Sequence, residues 1–276
     1  MEIRGAKAIV TGGASGIGRS LALALAREGA SVTITDINEE KLTNVLHELN
    51  AISQGHTSMR VDHTREDENR KFLADYQAQH GTPGILCLNV GVGLGAPIEK
   101  MTFDDLRWII DRNLWANIFM AQLFIPEMIQ RAKPGHVLIT SSVAGLVPAP
   151  AMSAYCMTKY AMTGFAESLR LELHKHEIGV SALCPGIVNT NIIHAGRMKT
   201  SESSAVQGIA DFYAQRGVSP DRIAKDALKA IRRNIAIMPS AEDAQLMYLT
   251  KKLAPETLDF TVSRLWKWGL MKGISG

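Results

Sequence analysis

With 276 residues and 46% hydrophobic side chains, the chain can bury a sizeable core as one large domain or two small ones. Its formal charge of +3 is small and scattered, and no basic stripe interleaved with aromatics appears, which excludes a nucleic-acid footprint. The three cysteines, Cys87, Cys156 and Cys184, lie far apart, which argues against a metal site or a disulfide framework and for free thiols in a reducing compartment. With no basic leader or apolar h-region at the start and no apolar run of membrane-spanning length, the expectation is a soluble cytoplasmic protein.

Residues 7–11 read as a buried strand, followed by Thr11-Gly12-Gly13-Ala14-Ser15-Gly16-Ile17-Gly18 and a helical run over 19–27. Glycines between a strand and a helix let the backbone turn tightly and approach a ligand closely. The helix N-terminus then offers free N–H groups and a positive dipole end to a pyrophosphate. This is the pattern of a dinucleotide cradle, with Gly12, Ser15, Gly16, Ile17 and Gly18 as its candidate residues. Residues 31–35 form a second strand that ends in Asp36. An acid there can take both hydroxyls of an adenosine ribose and repel a 2'-phosphate. Ser15 and Ile37 supply no compensating cation, so NAD is expected in preference to NADP. A competing reading makes Asp36 a helix cap before Asn38-Glu39-Glu40.

The alternation continues with helices over 38–50, 65–79 and 102–131 and strands over 57–61, 84–88 and 136–140. Strands alternating with helices of this length specify an α/β fold, a Rossmann-like doubly wound parallel sheet with helices on both faces, with ligands outside the strands' C-terminal ends. Polar residues follow the strands: Asp62 with His63 beside it, then Asn89-Val90-Gly91, then Ser141-Ser142. Asp62 can accept a hydrogen bond from an adenine amino group, and Asn89 and Gly91 allow close approach to the adenosine; each also fits ordinary turn chemistry.

Tyr155-Cys156-Met157-Thr158-Lys159 opens a long helical segment running to about residue 177. Residues four apart share a helix face, so the Tyr155 phenol and the Lys159 ammonium project to one side. A free phenol ionises near pH ~10, and a neighbouring cation lowers that value toward useful proton abstraction from an alcohol. The same spacing also fits a tyrosine packed over a lysine stem.

In this order the pieces resemble the short-chain dehydrogenase/reductase family over nearly the whole length to about residue 240. The resemblance rests on Thr11 to Gly18, Asn89-Val90-Gly91, Asn113 in the fourth helical segment, Ser142, Tyr155 with Lys159, and Pro185-Gly186-Ile187-Val188-Asn189-Thr190. It implies that Tyr155 is the general acid/base, that Lys159 lowers its pKa and holds the nicotinamide ribose, and that Ser142 orients the substrate oxygen. Asn113 would hold a water in a proton relay through Lys159. Pro185, Gly186, Val188 and Thr190 would line the nicotinamide, the last two reaching its carboxamide. His63 joins Asp62 on the cofactor side, and no metal is implied. Ser142 lies in Ser-Ser-Val-Ala-Gly, not in a Gly-x-Ser-x-Gly elbow, so a hydrolase is not indicated. Leu88 stands where the family's adenine-side motif has a first asparagine.

The resemblance implies that residues 191–217 form a lid over the substrate; they carry Met198, Phe212 and Tyr213 and end before Ser219-Pro220, an N-cap with proline at the first helical position. With Leu94, Val143, Leu146 and Val147 they suggest an apolar substrate, steroid-like or alicyclic; these four also fit a core. After about residue 240 the chain continues as an extension read as two helices, 241–253 and 256–271, parted by Pro255. A single catalytic domain over 1–240 with this extension is expected. The extension places a tetramer built through the last strand in doubt, leaving a homodimer through the segments 102–131 and 153–177. Trp266, Lys267, Trp268, Leu270 and Lys272 suit either a helix packed on the protein or weak peripheral membrane contact. The expected activity is NAD-dependent interconversion of a secondary alcohol and its ketone. The alternatives are NADPH-dependent reduction of a carbonyl or ketoacyl group and a non-catalytic NAD-binding regulatory protein.

Overall fold

Runs such as Ala8-Ile9-Val10 have no polar face, and only strands covered on both sides accommodate them; all three residues are fully buried. In the computed structural model, which describes residues 1–199 and 203–267, the chain begins β1 (Lys7–Thr11), α1 (Gly16–Arg27), β2 (Ser31–Asp36), α2 (Glu39–Ile52), β3 (Thr57–Arg60), α3 (Glu66–His80) and β4 (Ile85–Leu88). It continues through β5 (Leu94–Gly95), α4 (Phe103–Ile110), α5 (Ala116–Gln130), β6 (Gly135–Thr140), α6 (Ser153–Leu173) and β7 (Ile178–Pro185). The last part holds α7 (Ile192–Ala195), β8 (Arg197–Met198), α8 (Ser203–Arg216), α9 (Pro220–Arg233), β9 (Ile237–Ser240), α10 (Glu242–Leu253) and α11 (Pro255–Lys267).

Seven strands form one parallel sheet in the order β3-β2-β1-β4-β6-β7-β9. The order reverses between β1 and β4, which opens a crevice at the strands' C-terminal ends. One face is covered by α1, α2 and α9 through Leu21, Leu25, Leu42, Leu49, Ile223 and Ile231. The other carries α3, α5 and α6 through Phe72, Phe124, Met128, Met162 and Leu169. The expected doubly wound sheet is therefore present.

Local chemistry fixes the helix starts. The Asn38 side chain accepts from Lys41 N–H at 2.9 Å, so Asn38 is the cap of α2 and Asp36 is not. Thr102 and Asp105 form a capping box on α4. Ser219 caps α9 with Pro220 at its first position.

Three features differ from the sequence-based expectation. The 102–131 segment is not one regular helix, because a π turn over Asp111–Trp115 separates α4 from α5 and carries Asn113. The segment expected to be a lid carries regular structure: β8 pairs in parallel with β5, and α8 follows. At its base Arg197 holds Asp104 and Asp105, each at 2.9 Å, and Lys199 also pairs with Asp105. The Arg197 guanidinium lies 4.5 Å from the Trp108 ring centre. Finally, Pro255 does not part the two C-terminal helices but starts the second, as its missing N–H allows. Met247, Tyr248 and Leu258 of this extension pack against the α6 side of the core. The tail residues Trp268, Leu270, Met271 and Lys272, and the side chain of Trp266, lie outside the described residues. Among the described residues no helix is long and apolar enough to cross a membrane. The three cysteines are buried and unpaired.

His136 of β6 is buried, with Nε2 3.0 Å from Ser181 Oγ. Burial first, then the N-terminal charge and Arg170, push its pKa from 6.5 down to about 3. Between those values the unfolded chain binds a proton that the folded chain refuses, so stability falls as pH drops from 6.5 toward 3. Denaturant unfolding across this range should show a loss of up to about 1.4 kcal/mol per pH unit from this group. His136→Gln should flatten that slope.

Candidate active site

The glycine loop is tied to its surroundings through the backbone. Thr11 Oγ1 donates to Cys87 O at 3.3 Å and accepts from Asn89 N–H at 2.9 Å, which locks the end of β1 to β4. Gly12 and Gly16 adopt φ of +62° and +51°, where a side chain is strained. A Cβ at Gly18 would collide with the Gly12 carbonyl oxygen, so the loop closes on the first turn of α1 only with glycine there. Ser15 precedes α1 as an extended residue without a side-chain cap bond, and Ile17 packs on the core. Backbone amides thus lead the start of α1, an arrangement that fits the pyrophosphate of a dinucleotide. Asp36 Oδ2 accepts from Ala14 N–H at 3.3 Å and Oδ1 from Asn38 N–H at 3.1 Å, which holds the carboxylate beside this loop.

On the adenosine side the residues divide. Asp62 Oδ1 accepts from both the amide and the hydroxyl of Thr64, at 3.0 and 2.7 Å. Burial works to raise its pKa, and these bonds with the charges of Arg112 and Arg60 outweigh it and lower it. The His63 ring is buried between Thr35 Oγ1 at 2.7 Å and Asn69 Oδ1 at 2.6 Å. Both ring nitrogens are engaged, and burial lowers its pKa against the Asn69 bond. The His63 side chain is a core group, which leaves the backbone of this residue as its route to a cofactor. Asn89 accepts from Thr140 Oγ1 at 3.0 Å and reaches Gly12 O at 3.4 Å, bridging the ends of β1, β4 and β6.

The catalytic candidates converge on α6. Tyr155 and Lys159 lie one turn apart, 7% and 4% exposed, so both are withdrawn from bulk water. Lys159 Nζ donates to Thr140 O at 3.1 Å and lies 5.8 Å from the Tyr155 ring centre. Burial pushes the Lys159 pKa down to about 8. For Tyr155 the outcome differs from the expected lowering. Burial raises its pKa well above the ordinary phenol value, Tyr213 adds to that, and a hydrogen bond with Ser142 opposes it without prevailing. The ammonium's hydrogen bond goes to Thr140, so desolvation governs the phenol in this structure.

Ser142 caps a single 3-10 turn, Val143–Gly145, accepting from Ala144 N–H at 3.1 Å. A Cβ at Gly145 would come within 2.6 Å of Lys159 O, so this glycine lets the turn sit against α6. Ser141, which sequence reasoning left without a role, donates to Lys159 O at 2.8 Å. Asn113 is fully engaged. Its Oδ1 accepts from Val92 N–H at 2.8 Å, and its Nδ2 donates to Val92 O and Thr158 Oγ1, both at 3.1 Å. Asn117, also missed, donates to Val90 O at 2.9 Å and to Asn113 O at 3.0 Å. The signal was present as two asparagines four apart on an apolar segment. Together they hold the Val90–Val92 turn around Gly91, where a Cβ would be 3.1 Å from Lys159 Nζ.

Pro185 to Thr190 leaves the end of β7. Val188 pairs with Val218 through Asn189 N–H and Ile187 C=O, so its own amide faces away from that bridge. Thr190 Cγ2 would be 3.2 Å from a Cβ at Gly16, which places this segment across from the glycine loop. Leu94, Leu146 and Val147 belong to the core, because each is almost fully buried among apolar neighbours. Among the described residues no group of three or more His, Cys, Asp or Glu could hold a metal ion.

A family model described as short chain dehydrogenase matches residues 6–200. The probable oxidoreductase EphD of Mycobacterium tuberculosis is 30% identical over 258 residues, covering 91% of this chain and 44% of that protein's length. The chain therefore spans less than half of that relative. The 1-deoxy-11-beta-hydroxypentalenate dehydrogenase of Streptomyces exfoliatus is 32% identical over 195 residues, covering 70% of this chain and 71% of that protein. A short chain dehydrogenase/reductase from Burkholderia phymatum, solved in complex with NAD, shares the fold with a TM-score of 0.83 at 24% identity, over 92% of this chain and 96% of that one.

Gly18→Ala tests the cradle directly. The collision with Gly12 O should displace the loop and weaken NADH binding by at least about a hundredfold, as loss of several backbone hydrogen bonds to charged oxygens implies. Calorimetric titration beside an unchanged circular dichroism spectrum would show it.

Proposed function

The chain belongs to the short-chain dehydrogenase family, and on that ground we propose that it interconverts a secondary alcohol and its ketone with NAD. The observation that carries this reading is the gathering of Ser142, Tyr155 and Lys159 beside the strand ends, across from a glycine cradle that a single Cβ would fill. NAD, when bound, supplies the hydride acceptor or donor. The chain's residues do the rest: Tyr155 moves a proton at the substrate oxygen, Ser142 donates a hydrogen bond to it, and Lys159 holds the ribose and the local charge. Asn113 and Asn117 keep the Gly91 turn open beside Lys159. Asp36 takes the adenosine ribose. Gly186, Val188 and Thr190 line the nicotinamide side.

Burial keeps Tyr155 protonated, which favours its use as an acid in ketone reduction. Alcohol oxidation needs the phenolate, which the Ser142 bond favours against the effect of burial. The substrate is apolar: Phe212 is half exposed on the lid, and the cations at the lid base, Arg197 and Lys199, are engaged by Asp104 and Asp105. A relative named as a hydroxypentalenate dehydrogenase agrees with a hydroxyl-bearing substrate. We infer a homodimer from the exposed Phe103, Trp115, Met157, Tyr160 and Leu171 on α4, the π turn and α6.

Turnover of secondary alcohols with NAD and of their ketones with NADH tests the reading. Tyr155→Phe should lose about 10²- to 10⁴-fold in kcat while NADH binding persists. Unchanged turnover in that variant would remove Tyr155 from the chemistry. Efficiency with NAD should exceed that with NADP by about a hundredfold, and Asp36→Ala should narrow the gap, since like charges brought together cost several kcal/mol. Equal use of both cofactors by the native chain would refute the role of Asp36.

A further inference from the structure

The C-terminal extension reaches back into the site through its first turn. β9 ends at Ser240, whose carbonyl accepts from Gly186 N–H at 3.1 Å and whose hydroxyl donates to Asp226 Oδ2 at 2.7 Å. The next residue, Ala241, is fully buried and adopts φ +80° and ψ 158°. Only glycine occupies that region without strain, and a strained residue persists where its surroundings over-determine it. The consequence of the turn is placement. Asp243 Oδ2 accepts from Ile187 N–H at 2.8 Å, and a Cβ at Gly186 would overlap the same carboxylate. Glu242 beside it lies 3.3 Å from Arg222, which is also 3.6 Å from Asp226. Two consecutive amides at the end of β7 are therefore fixed by β9 and α10, just before Val188.

We propose that Asp243 is a positioning residue: its carboxylate holds the Ile187 amide and so fixes segment 185–190 in the geometry that receives a nicotinamide carboxamide. This rests on the reading of 185–190 as the nicotinamide side of the site. The carboxylate also acts on the lid. Burial, and then the Asp243 charge, raise the pKa of Tyr213, and Phe212 lines a cleft together with Ile187, Val218 and Asp243. One side chain of the extension thus bonds segment 185–190 and lines a cleft with Phe212 of α8.

The test compares NADH with ADP-ribose, which keeps the adenosine and pyrophosphate but has no nicotinamide. Calorimetric titration of Asp243→Ala should show NADH affinity reduced about tenfold and ADP-ribose affinity unchanged, the size expected for one lost hydrogen bond to a charged group. Asp243→Asn keeps an acceptor oxygen and should remain within about threefold of the native chain for both ligands. Equal losses for NADH and ADP-ribose in Asp243→Ala, or no loss for either, would overturn the proposal. If Asp243→Ala does not fold, Gly186→Ala displaces the carboxylate from the opposite side and should give the same split between ligands. A native chain that binds neither ligand refutes the cofactor reading itself, whereas native binding with unaltered variants refutes only the role of Asp243.

Discussion

A buried ammonium must be answered by oxygen atoms, and the surroundings of Lys159 are built around that requirement. Thr140 at the end of β6 supplies the carbonyl. The geometry holds only if α6 lies close to β6, and closeness is secured by Gly145 against the Lys159 carbonyl and by Ser141, which donates to the same oxygen. From the other side Asn113 reaches Thr158, fastening the π turn to α6 one residue before Lys159. Strand, turn and helix are thus mutually fixed about one cation, and the phenol one turn earlier inherits its place from them. The same burial that demands these bonds lowers the pKa of the amine and raises that of the phenol, so two groups of nearly equal ordinary acidity are drawn apart, the amine releasing its proton more readily and the phenol less.

An extra residue in a helical turn redirects the side chains that follow it and breaks the regular sequence of i to i−4 bonds. Here it brings Asn113 and Asn117 to bear on the loop after β4, where two backbone carbonyls and one amide receive them. The two asparagines thus tie the loop after β4 to the π turn, and Asn113 ties that turn to α6 at Thr158.

Much of this was legible in the sequence because the signals are local. The glycine loop, the alternation of strands and helices, the Tyr155 and Lys159 spacing and the Ser219-Pro220 helix start each depend on neighbours within a few residues. What was not legible depends on contacts across the fold. His63 follows a strand like a ligand contact, yet its ring is held by Thr35 and Asn69. Leu94, Leu146 and Val147 follow strands too, and the chain folds back over them. The direction of the Tyr155 shift required knowing how completely the ring is buried and where the Lys159 hydrogen bond goes. Asp243 had no signal at all, since nothing in its own segment announces the Ile187 amide.

Pro239 sits in β9, the last strand of the sheet, paired with Cys184 of β7. The bonds from Ala182 N–H to Ala236 O and from Gly186 N–H to Ser240 O show that even-numbered residues of this strand face β7. Proline therefore stands on the outward side, at a position whose amide would otherwise point into open space, and it removes a donor from the free edge. An exposed edge with its row of donors and acceptors is a template on which other chains can add as strands, in aggregates as well as in ordered assemblies. Here the template is interrupted in its middle. Growth of the sheet past β9 is discouraged by covalent chemistry, and a partly folded neighbour finds one donor fewer there to copy.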